Sequence, residues 1–238
     1  MRCVSALLLT ASLAAAAGIN TDAAQPIGKG EVASVTRLRY QDLENDVERY
    51  LAQQTLVYGV YKRLALLTTI GYEWNSPGED GATDLSVRGR FTFYFNNRGK
   101  RQALSFAFLL GGEIPIGEEP IGSPDGGLIT GLVFTWEKSG WRIDADAIGI
   151  FRPNANDKRR ADVAIVRELA IDDYRIWLGV LEFNFERNGD NDVLFISPGI
   201  VYEFRGWKIE ASFQINAIED ARGPVPDFAV VFAVVHVF

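Results

Sequence analysis

Apolar and polar residues alternate along most of this chain, and the connections between the alternating stretches alternate in length as well. Lys62-Arg63, Lys138-Ser139-Gly140, Asp172-Asp173 and Arg205-Gly206 are tight connections, with 97–101 slightly longer. Between them fall the long polar segments 75–83, 117–126, 152–159 and 217–226, and the shorter 188–191 and 41–46. A period of two marks a strand, because successive side chains point to opposite faces of a sheet. The candidate strands are 31–40, 47–61, 64–74, 84–96, 102–116, 127–137, 141–151, 160–171, 174–186, 192–204, 207–216 and 227–238. Short turns at one end and long loops at the other describe an all-β, transmembrane, up-and-down antiparallel β-barrel of twelve strands.

The faces agree. In the fourth candidate, Leu85, Val87, Phe91, Phe93 and Phe95 alternate with Ser86, Arg88, Arg90, Thr92 and Tyr94. In the eleventh, Trp207, Ile209, Ala211, Phe213 and Ile215 alternate with Lys208, Glu210, Ser212, Gln214 and Asn216. A periplasmic sandwich or a lipocalin-like barrel would alternate too; the aromatic residues separate the cases. Trp136 and Trp141 flank one tight turn, Phe204 and Trp207 another, and Tyr174 a third, while Trp74, Phe151 and Phe185 mark the opposite strand ends. Two such bands are the interfacial girdles of a membrane barrel. Two candidates are untidy. The eighth carries Arg167 on its apolar parity, to be reconciled by a bulge or an interfacial position, and the tenth contains Pro198, which cannot donate to a ladder.

The last stretch has Phe228, Val230, Phe232, Val234, His236 and Phe238 on one parity and smaller residues on the other. An apolar strand at a free terminus invites aggregation unless it is paired, so it is expected to close the sheet on the first strand. Phe238 resembles the terminal assembly signal of outer-membrane barrels, which implies the barrel assembly machinery as a partner.

At the other terminus, Met1-Arg2 and an apolar run ending in Ala15-Ala16-Ala17 read as a cleaved secretory signal peptide over 1–17. That leaves an aperiodic periplasmic tail at 18–30 and the barrel at 31–238. The single cysteine, Cys3, falls in the signal peptide, so disulfides and thiol catalysis are excluded from the mature chain. The formal net charge of −7 argues against a nucleic-acid partner. A mean hydropathy of +0.01 fits a barrel and excludes a helical membrane bundle. The expected location is the bacterial outer membrane, in contact with lipid and lipopolysaccharide, with periplasmic termini and extracellular long loops.

Asp84-Leu85, the strand ending Phe93-Tyr94-Phe95, a polar turn, the stretch 103–110 and Ile114-Pro115-Ile116-Gly117 resemble the phenol-degradation meta-pathway (MetA-type) outer-membrane family. That family usually has Pro-Thr-Gly at the end of the matching strand, where this chain has Ile116 for the Thr. The resemblance implies a channel for small, often aromatic compounds, and assigns no functional residue.

Reactive chemistry is sparse. The one histidine, His236, lacks the following Ser of the His-x-Ser pair in barrel lipases and lies at the periplasmic end, so it reads as an interfacial aromatic and the chain as a non-enzyme. There is no phosphate loop, nucleophile elbow or Cys/His metal cluster, and no cofactor is expected. The loop acids Asp190, Asp192, Glu118 and Glu119 read as solvated side chains, with contact to divalent cations that bridge lipopolysaccharide as the alternative.

The polar parity places Arg88 and Arg90 on the fourth strand and Asp144, Asp146, Glu168, Glu182 and Glu210 on the seventh to eleventh, as candidate pore-lining residues. Two readings stand side by side. Either these charges pair structurally, Arg88 with Glu73 or Glu113 and Asp144 with Arg142, or they form one basic and one acidic wall that sorts solutes. On the second reading, the excess of acids predicts cation preference, with Asp146 and Glu182 at mid-strand. Twelve strands give a backbone diameter of about 24 Å and a pore of roughly 10 Å, narrow enough for the 18–30 tail or a loop to close. The expected function is passive passage of small solutes. The alternatives are a closed structural or adhesive barrel whose loops bind a partner, and a lipid-modifying enzyme, which the histidine count disfavours.

Overall fold

The computed structural model describes residues 21–43, 47–97, 102–117, 119, 121–153, 156–172, 175–189, 191–220 and 226–238. The expected signal peptide at 1–17, the start of the tail at 18–20, Glu118, Asp173, Tyr174 and Asp190 lie outside the described residues. The strands are β1 (Val32–Leu43), β2 (Val47–Tyr61), β3 (Leu64–Ser76), β4 (Asp80–Ala82), β5 (Leu85–Asn97), β6 (Gln102–Ile114) and β7 (Gly127–Lys138). They continue with β8 (Trp141–Phe151), β9 (Lys158–Asp172), β10 (Arg175–Asn188), β11 (Asn191–Phe204), β12 (Trp207–Asp220) and β13 (Pro226–Val237).

Apart from the short β4, each strand pairs antiparallel with the next along the chain, and β13 pairs with β1 from Ala33↔Val237 to Leu43↔Pro226, so the sheet closes on itself. The short β4 is not a thirteenth stave. It lies in line with β5 along β3, pairing Tyr72↔Ala82 to Trp74↔Asp80, while β5 pairs Leu64↔Phe91 to Thr69↔Ser86. Thr83 N donates to Gly71 O at 2.9 Å between the two. The barrel therefore has twelve staves and no free edge, which removes the hazard of an apolar terminal strand.

Local chemistry sets the tight turns. Ser139 and Gly140 (φ 52° and 76°), and Arg205 and Gly206 (φ 47° and 83°), both have two successive positive φ values. That twist matches the right-handed twist of the flanking strands in two-residue hairpins. The two irregular strands resolve differently. Trp177 opposes Ala170 but Leu178 opposes Glu168, so Leu169 is extra, and Arg167 lies on the outer face with its guanidinium 4.8 Å from the Trp141 ring. Pro198 interrupts the ladder to β12 without shifting it, since Ile196↔Ile215 and Gly199↔Ser212 keep one register. One expectation is corrected here. A bulge at Phe93 leaves Thr92 facing Ala107 and Tyr94 facing Phe106, so Tyr94 turns outward at 41 % exposure instead of joining the polar parity.

The outer surface is an apolar belt, with Leu56, Leu66, Phe91, Leu110, Leu132 and Phe213 all exposed. In water such a surface would be an aggregation site; in lipid it is the solvated face. Trp141, Trp177 and Trp207 mark its tight-turn edge and Trp74, Phe151 and Phe185 its loop edge, all exposed. His236 sits in the first band, 4.0 Å from the Trp207 ring and 4.3 Å from that of Phe238, centroid to centroid.

Candidate functional site

The segment read as a periplasmic tail, and named with the loops as able to close the pore, runs inside the barrel over residues 21–30. Its entry is fixed at the tight-turn end, where Gly30 N donates to Gly59 O (2.7 Å) and Gly59 N donates to Glu31 O (2.9 Å). Gly59 is needed for this approach, because a Cβ there would collide with the Gly28 carbonyl oxygen. Ile27 then packs against Ala33, Ala65 and Leu67, and Ala24 against Ala107, Leu109, Ile129, Val133 and Ile148.

An extended segment with no strand partner leaves its backbone groups unsatisfied, and here side chains of two walls meet several of them and bind tail side chains as well. On one wall are acceptors. Asp22 N donates to Asp146 Oδ2 (2.6 Å), Ala24 N to Thr135 Oγ1 (2.9 Å), Gln25 Nε2 to Glu137 Oε2 (3.3 Å) and Thr21 Oγ1 to Glu182 Oε1 (3.2 Å). On the other are donors. Arg90 Nη1 donates to Ala23 O (2.6 Å), Thr92 Oγ1 to Ala24 O (3.0 Å) and Arg88 Nη1 to Asp22 Oδ2 (3.3 Å). The basic β5 and the acidic β7, β8 and β10 thus meet through the tail. Arg88 (3.3 Å) and Arg160 (3.5 Å) stand against the Asp22 carboxylate.

Each candidate residue has a distinct place. Arg88 and Arg90 bind the tail, as do Asp146 and Glu182, the two acids expected at mid-strand. Asp144 is fully buried, accepting from Arg142 Nε (2.7 Å) and Thr135 Oγ1 (2.6 Å), which is the structural pairing anticipated for it. Arg88 does not take Glu73 or Glu113, because Glu73 pairs with Arg49 (3.1 Å) and Glu113 with Arg152 (2.5 Å). Glu210 pairs with Lys208. Glu168 stands apart from the others, since the β9 bulge places it at the tight-turn end, where its N–H donates to Gly140 O at 2.9 Å. Phe238 is exposed, and its N–H donates to Val32 O at 2.9 Å, extending the β1–β13 seam.

Beside the tail remains a cavity of about 540 Å³. It reaches from Lys158, Arg159, Arg187 and Asn188 at the loop end to Ile27, Ala33 and Val237 at the tight-turn end. Its wall carries Arg37, Arg49, Arg88 and Arg90 from β1, β2 and β5, with Lys158, Arg159, Arg160 and Arg187 from β9 and β10. Among the described residues, four acids stand against these eight cations: Asp22, Glu113, Glu186 and Glu210. The count of acids over bases behind the expected cation preference therefore does not describe this wall. Many of the counted acids are buried within the β7–β12 side, where Asp162, Asn184, Ser197 and Gln214 link in one hydrogen-bonded network at 2.8–3.3 Å.

Sequence reasoning missed Asp22, Arg37, Arg160 and Asp162. Arg160 and Asp162 share a parity of β9 with Ala164 and Val166, and Arg37 alternates with Leu38, so their strand faces were readable. Asp22 sits in an aperiodic segment that gives no such signal.

A closed barrel of twelve staves with an apolar outer belt, aromatic edges and a polar lumen defines the outer-membrane β-barrel class. Solved structures agree on the fold. An outer membrane channel from Pseudomonas putida F1 superposes with a TM-score of 0.67 at 12 % identity, over 89 % of this chain and 97 % of that one. The KdgM porin gives 0.54 at 10 % identity, over 87 % and 99 %. The beta domain of the Bordetella autotransporter Brka gives 0.54 at 14 %, over 89 % and 100 %. No family model matches the sequence, and no curated protein matches it.

Proposed function

We propose that this protein is an outer-membrane channel for passive uptake of small solutes, with its N-terminal tail restricting the lumen. The observation that carries the reading is the cavity beside the tail, which runs from the loop end to the apolar floor at Ile27. At about 540 Å³ it is of the size that takes a small molecule. The apolar groups on its lower wall, among them Val35, Val57, Leu67 and Val235, are compatible with the small aromatic or hydrophobic compounds that the MetA-type resemblance implies. In this reading the long loops are extracellular and the termini periplasmic, the barrel assembly machinery inserts the chain by way of Phe238, and lipopolysaccharide surrounds the loops. No catalysis is assigned, and His236 serves in an aromatic band.

A second reading, a closed barrel whose loops bind a partner, is favoured by the tail's hydrogen bonds to both walls. Single-channel recording in planar bilayers separates the two. The channel reading expects a small conductance from the native chain and one several-fold larger after removal of residues 21–29. Silence from both proteins selects the closed barrel.

A further inference from the structure

The barrel closes without the tail, since all of its strand pairs lie within β1–β13, yet the tail carries a carboxylate into the basic part of the lumen. Asp22 Oδ2 accepts from Arg88 Nη1 at 3.3 Å and from Arg160 Nη2 at 3.5 Å. Arg90 and Arg37 add attraction from further off. These guanidinium groups come from three strands, β1, β5 and β9; Arg88 and Arg160 contact an acid that is not part of the wall, and Arg160 is also held by the wall acids Asp162 (2.8 Å) and Asp146 (3.5 Å). Among the described residues, the buried Arg88 Nε has no hydrogen-bond partner. Guanidinium groups match carboxylates in charge and fork geometry, and the partial burial of Arg88 and Asp22 leaves little solvent to screen the attraction. Next to this cluster the same cavity continues along the apolar side chains of Val35, Val57 and Leu67.

We propose that Arg37, Arg88, Arg90 and Arg160 form a carboxylate-binding station, that Asp22 occupies it as a tethered internal ligand, and that small organic carboxylates with a short apolar body compete for it. The station rests on the geometry above; its part in transport rests on the channel reading. A tethered ligand acts at an effective concentration on the order of millimolar, so a free carboxylate displaces Asp22 only at comparable or higher concentration. A solute that wins this competition also removes one of the tail's anchors, which couples binding to widening of the lumen.

Hexanoate is the probe, with hexanamide as its uncharged counterpart, titrated calorimetrically into the detergent-solubilised full barrel. The native protein is expected to bind hexanoate weakly and hexanamide not at all. Asp22→Asn keeps the tail's length and shape and leaves the wall untouched, and should tighten hexanoate about tenfold by removing the tethered competitor. Arg88→Gln with Arg160→Gln should abolish binding; if that pair prevents barrel formation, Arg88→Gln alone should weaken it several-fold. No hexanoate binding by the Asp22→Asn protein, or equal binding of hexanamide, overturns the station. Bilayer recordings on the same preparations keep the two ideas apart. Binding without conductance in any variant leaves the station standing and removes the channel, whereas conductance without binding does the reverse.

Discussion

At the scale of residues, the lumen is decided by a few side chains whose partners lie far away in sequence. Gly59 is the most sensitive of these, because the tail enters across it and its missing side chain is the space through which Gly28 passes. Val is a good strand residue, so Gly59→Val should leave the barrel intact while expelling the tail. The expected outcome is a single-channel conductance close to that of the chain lacking 21–29, with unchanged electrophoretic behaviour. A conductance equal to that of the native protein would show that the tail enters by another path. Arg88 and Asp144 teach a related lesson. Both sit on the polar parity, yet Asp144 is satisfied within its own wall, whereas the ion pair of Arg88 is with Asp22 of the tail.

At the scale of elements, β13 does the closing. Its inward residues Ala229, Val231 and Ala233 are fully buried, its outward Val230 and Phe232 are exposed, and its partners are β1 and β12. Phe238 continues the seam through its hydrogen bond to Val32. Deleting Phe238, or replacing it with Asp, should lower the amount of assembled barrel several-fold, measured as protease-resistant protein in outer-membrane fractions. Shortening the connection between β12 and β13 should have little effect by the same measure, since loop length costs little entropy once the ends are held. Normal levels of the deletion protein would remove the assembly role of the terminus.

At the scale of the whole molecule, closure makes the hydrogen-bond ladder continuous, so unfolding has no edge from which to start. The purified protein should therefore resist SDS at room temperature and change gel mobility on boiling. The chain lacking 21–29 should do the same, because the tail contributes no strand to the sheet. Identical mobility before and after boiling would count against the barrel, and loss of resistance in the shortened chain alone would make the tail part of the scaffold.

The twelve staves, the turns at Ser139-Gly140 and Arg205-Gly206 and most outward faces were legible in the chain, because these depend on a local period of two and on turn residues that act on their immediate neighbours. It could not place the bulge that turns Tyr94 outward, since an extra residue leaves no mark on composition. Nor could it place the tail. Residues 21–30 have no period, and their partners Thr135, Asp146 and Glu182 lie more than a hundred positions away. Only closure of the sheet brings a basic strand and an acidic wall close enough for one short segment to satisfy both. That is why the charges that looked like two facing walls of an open pore became, in three dimensions, the anchors of a segment threaded between them.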